Sequence, residues 1–114
     1  MSFWRNEVIQ PALTAETRKQ MEEQLAWIAR EPANARPYFH LAHFYRMEGR
    51  EDEALALLLH AGQLEPDFAA AHATLAEVYA VRGDYPAAWR HARIAERGGD
   101  PHAVALLQRH NVPE

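Results

Sequence analysis

A chain of 114 residues is expected to form one domain, and the absence of cysteine excludes disulfides, thiolate metal sites and cysteine nucleophiles. With 12 Lys+Arg against 16 Asp+Glu the formal charge is -4, spread without long runs, so electrostatics give no reason to expect nucleic acid or an anionic membrane as partner. The opening MSFWRNEVIQP lacks the basic start and apolar run of a signal peptide, and no stretch has the apolar length needed to span a bilayer, which makes a cytoplasmic location the default expectation.

Residues 1–13 come first, and Phe3, Trp4, Val8 and Ile9 make them too apolar for a solvated tail. Two roles are open to this segment: folding back to cover the open end of its own chain, or docking on a second copy in a homo-oligomer. Thr14 can cap a helix from about Ala15 to Arg30 whose apolar face is Leu25, Trp27 and Ile28, and Pro32 stops it. A second helix is expected from about Arg36 to Met47, ending at Gly49, and a third from about Glu51 to Leu64, ending before Pro66. The fourth spans about Ala69 to Val81 and ends at Gly83; the fifth starts near Tyr85 or Pro86 and ends at Gly98-Gly99. Asp100 and Pro101 are a good N-cap and first-turn pair for a short helix through HAVALLQRH. Apolar residues recur throughout at helical steps and strand-like alternation is missing, so the fold class is all-α.

The stretch AHFYRMEGREDEALALL, from Ala42 to Leu58, is followed thirty-four residues later by AEVYAVRGDYPAAWRHA, from Ala76 to Ala92. At that offset Tyr38/His72, Leu41/Leu75, Ala42/Ala76, Tyr45/Tyr79, Gly49/Gly83, Ala54/Ala88 and Ala61/Ala95 fall into register, and Pro32 precedes Pro66 by the same interval. Two antiparallel helices pack closely only where one offers a small residue to the bulk of the other, which Ala42, Ala54, Ala76 and Ala88 do opposite Tyr45 and Tyr79. Gly49 and Gly83 permit the left-handed backbone of a short reversal.

This spacing of large, small and turn residues resembles the tetratricopeptide repeat. The resemblance implies antiparallel helix-turn-helix repeats stacked in a right-handed superhelix, with full repeats at 35–68 and 69–100, a degenerate half-repeat helix at 14–34 and a capping helix at 101–111. Gly98 stands where Leu64 stands one period earlier, so the last repeat ends early, and Val104, Leu106 and Leu107 are expected to cover its exposed end.

Members of this family hold another protein on the concave face formed by the first helix of each repeat. With Tyr38, Leu41, Ala42 and Tyr45 facing the core, helix geometry puts Arg36, Phe39, His40, His43, Arg46 and Met47 on the adjoining stripe. One period on, it continues as Ala70, Ala73, Thr74, Glu77, Ala80 and Val81. The first half is basic and aromatic and the second small and apolar apart from Glu77, which suggests a partner segment with a carboxylate near one end and an apolar side chain near the other. The Lys/Asn/Arg clamp of chaperone-binding members has no match, since His43 and Glu77 occupy the positions where those members place Asn.

His40 and His43 share one helix face and Glu77 could approach from the neighbouring helix, but HxxH without the glutamate of HExxH is a weak metal pattern. No GxSxG elbow, glycine-rich phosphate loop or carboxylate pair in an evident cleft suggests an enzyme, and the inner stripe lacks the base-reading polar pairs of RNA-binding repeats. The sequence therefore points to a non-catalytic adaptor for a protein or peptide, with no cofactor, nucleic acid or membrane.

Overall fold

A computed structural model describes the backbone of residues 2–114 and the side chains from Ala15 onward. Among the described residues there are six helices and no strands: α1 (Ser2–Arg30), α2 (Ala35–Met47), α3 (Glu51–Leu64), α4 (Ala69–Val81), α5 (Tyr85–Arg97) and α6 (His102–Arg109). None of them is long and apolar enough to cross a membrane. The cap or docking role expected of Phe3, Trp4, Val8 and Ile9 lies outside the described side chains.

The thirty-four-residue period reappears in the backbone hydrogen bonds. After α1 and α3, Glu31 N–H bonds Trp27 O at 2.8 Å and Glu65 N–H bonds Ala61 O at 3.0 Å; Asn34 N–H then bonds Glu31 O as Phe68 N–H bonds Glu65 O, both at 3.0 Å. After α2 and α4, Gly49 and Gly83 take φ of 77° and 81°, a conformation that costs little without a Cβ. That reversal lets Arg50 N–H reach Tyr45 O, and Asp84 N–H reach Tyr79 O, at 2.9 Å each, which ties off carbonyls the helix leaves open. The same closure follows α6, where Asn111 takes φ 55° and Val112 N–H bonds Leu107 O at 3.0 Å. Asp100 accepts from His102 N–H at 3.0 Å and so opens α6.

Packing follows the turns. The most extensive contacts are within the pairs α2–α3 and α4–α5, each joined by a short turn, while α1 lies on α2, α3 on α4, and α6 on both α5 and α4. Ala42 and Ala54 are fully buried beside Leu58, Leu75 and Val78, and Ala76 and Ala88 beside Trp89, Val104 and Leu107. Leucine in place of Ala88 is expected to overpack the α4–α5 contact and cost about 1–3 kcal/mol, read as a lowered urea midpoint. An unchanged midpoint would contradict the small-residue register.

Two expectations need correction. α1 runs through Thr14, so Thr14 does not start it. Leu25 is 49% exposed and does not belong to the packed face; among the described side chains of α1, Met21, Gln24, Trp27 and Ile28 are half-buried and none is fully buried.

Candidate functional site

The C-terminal ends of α2 and α4 present the most exposed large apolar side chains among the described residues, Met47 at 72% and Val81 at 87%. These positions are thirty-four residues apart, at the corresponding ends of α2 and α4. Between them and α6 lies a depression of about 490 Å³, lined by Arg46, Glu77, Ala80, Val81, Tyr85, Leu106, Leu107, His110 and Val112. Two smaller ones adjoin it, of about 320 Å³ with His43, Met47 and Glu51, and of about 450 Å³ with Glu51, Asp52, Val78, Val81 and Arg82; Arg46 lines both as well.

The charges here are unevenly matched. Arg82 reaches across from the end of α4 to Asp52 of α3 at 2.6 Å. Arg46 and Glu77, both half-buried, form no ion pair among the described residues. His43 is held below the ordinary histidine pKa of 6.5, chiefly by burial and then by the Arg46 and His40 charges, against an opposing pull from Glu77. At neutral pH the ring is therefore uncharged, and the cation of this wall is Arg46. The arrangement can bind an apolar side chain and one acidic group.

The expected stripe divides in two. Its C-terminal part, with His43, Arg46, Met47, Glu77, Ala80 and Val81, lines the depressions. Its N-terminal part is engaged elsewhere: the Arg36 guanidinium lies 4.7 Å from the Phe68 ring centre and 3.8 Å from Glu65, and His40 stacks on Trp27 at 6.4 Å. Phe39, expected outside the core, packs on Phe68 at 5.1 Å and on the edges of two core clusters, because the turn before α4 swings Phe68 onto it. Thr74 is buried rather than exposed, its hydroxyl satisfied by donation to Ala70 O at 3.0 Å. Ala70 and Ala73 are half-buried against core clusters. Among the described residues no group of three or more His, Asp or Glu is placed to hold a metal, so His40, His43 and Glu77 are not gathered into a ligand set.

Tyr85, His110 and Val112 were not anticipated in this site, and Leu106, expected only as an end cover, lines it. The thirty-four-residue period gives no signal for Leu106 or His110, since one period beyond the stripe falls at Val104, Leu107, Gln108 and Asn111. Val104 and Leu107, expected to cover the end, are buried beside Trp89. No protein-family model matches the sequence, and no curated protein matches it either.

Proposed function

We propose that the chain is a tetratricopeptide-like, non-catalytic interaction module that holds a peptide or helix of a partner protein in the groove between α2, α4 and α6. The repeated hydrogen-bonded turns support the family reading, and one observation carries the binding reading. Met47 and Val81, the most exposed large apolar residues among those described, flank an unpaired half-buried arginine beside an apolar depression. Exposed apolar surface rimmed by polar groups is the composition of a docking site. A partner segment would place an apolar side chain against Ala80, Val81 and Leu106 and a carboxylate on Arg46, where a guanidinium accommodates it in a bidentate fork.

The double variant Arg46→Ala/Val81→Asp tests this. Val81 is exposed and Arg46, half-buried, has no ion-pair partner among the described residues, so the melting temperature is expected to stay within about 2–4 °C of the native protein's. Each change is expected to weaken capture of protein partners from cell extract about tenfold or more, the effect of removing central contact residues. Undiminished recovery of the same partners would move the binding surface away from this groove.

A further inference from the structure

The two hairpins differ at a pair of interior positions. In the α2–α3 hairpin position 38 is Tyr, whose hydroxyl donates to Pro32 O at 2.7 Å, and position 57 is Leu. One period later, in the α4–α5 hairpin, both positions are His, and His72 and His91 are buried. Their Nδ1 atoms stand 3.0 Å apart, and His72 Nε2 lies 2.9 Å from Pro66 O.

These contacts dictate the protons. Pro66 O has only lone pairs to offer, so His72 donates from Nε2 and, when neutral, accepts at Nδ1; His91 then carries its hydrogen on Nδ1. The two rings are near parallel at 17°, and Tyr79 of α4 also stacks on His91, at 9°. α3 meets the pair through Gly62, where an added Cβ would come within 3.3 Å of the His72 ring. Burial is the main obstacle to protonating His91, and the His72 ring across the interface and the Arg90 guanidinium on its own helix oppose it further. A proton on His91 would place an uncompensated cation between the helices.

We propose that His72 and His91 are a proton-operated latch between α4 and α5, closed while His91 is neutral and opened by acid, which releases this hairpin while α2–α3 stays folded. Glu77, Ala80 and Val81 lie on α4, so opening also dismantles the groove; that consequence alone rests on the binding role proposed above. Closure holds the His91 pKa at about 4 against 6.5 in the opened chain, so between these values only the opened form takes up the proton. Latch stability is complete above 6.5 and falls as the pH drops toward 4, by about tenfold in the opening equilibrium per pH unit for one proton.

Hydrogen exchange of the full chain at a series of pH values, corrected for intrinsic rates, reads this directly. Amides of α4 and α5 are expected to lose about a hundredfold protection over two pH units below 6.5, and those of α2 and α3 far less. Equal loss in both hairpins, or loss in neither, would overturn the latch. The double variant His72→Tyr/His91→Leu gives the second hairpin the pair found in the first and should abolish the difference; an acid response that survives it also overturns the proposal. Should that variant not fold, nitrogen NMR of the native imidazoles decides: His91 is expected as the Nδ1–H tautomer and uncharged at pH 5.5, and a His91 that titrates near 6.5 refutes the latch.

Discussion

Replacing Trp89 with alanine is expected to lower the stability of the protein by about 3–5 kcal/mol. Trp89 is 5% exposed, and the buried cluster around it is built from Ala76, Ala88, Ala92 and Ala103 with Val104 and Leu107. Alanines cannot reach into the space an indole leaves, so the vacated volume stays largely open. The indole N–H also donates to Val112 O at 3.1 Å, and Arg93, 5.0 Å from the ring centre, binds Glu114. Trp89 thus ties the last residues to α5, and with them the Val112 wall of the groove. Phenylalanine keeps most of the apolar bulk and loses the donor, so Trp89→Phe should cost clearly less than Trp89→Ala, the missing hydrogen bond accounting for about 1 kcal/mol of it. Urea unfolding of both variants checks the order. A loss below about 1.5 kcal/mol for Trp89→Ala would mean that α6 collapses into the cavity.

The contrast between what the sequence made legible and what it did not follows from range. Gly49, Gly83 and Pro66 act on their own few residues through φ and missing donors, so the helices between them begin and end where local chemistry placed them. The same is true of Ala42, Ala54, Ala76 and Ala88, whose spacing alone implied close packing. Burial on the inner stripe is set instead by neighbours distant in sequence. Phe39 was drawn inward by Phe68, from the turn that opens the next repeat, and nothing within α2 encodes that approach. Asn111 ends α6 in the left-handed conformation that elsewhere in the chain falls to glycine, so the turn that brings Val112 back to the groove carried a weaker local signal than Gly49 or Gly83. Leu25 shows the reverse error: an apolar residue was assigned to a face because it is apolar, although α1 has α2 as its principal neighbour. The His72–His91 pair was legible only in half, as His72 falling in register with Tyr38, because its meaning lies in a contact across nineteen residues.

Leucine 75 is where the two hairpins depend on each other most directly, and Leu75→Ala is expected to cost about 2–5 kcal/mol. The side chain projects from α4 into the cluster formed by Ala42 of α2 and Ala54 and Leu58 of α3, with no exposed surface. Its loss therefore weakens the contact between units as well as the interior of one. In a stacked helical array the total stability is roughly the sum of the units and of the interfaces between neighbours, and cooperativity comes from the interfaces. With this contact weakened, α2–α3 and α4–α6 are expected to unfold over more widely separated ranges of urea. The measurable consequence is a change in shape as well as position of the urea transition: the midpoint falls and the m-value falls with it, because less surface is exposed in each step. Trp89→Ala lies inside the second cluster, away from this junction, and is expected to shift the midpoint with the m-value preserved. A Leu75→Ala protein that unfolds with the native m-value would show that the hairpins are joined mainly by something other than this cluster.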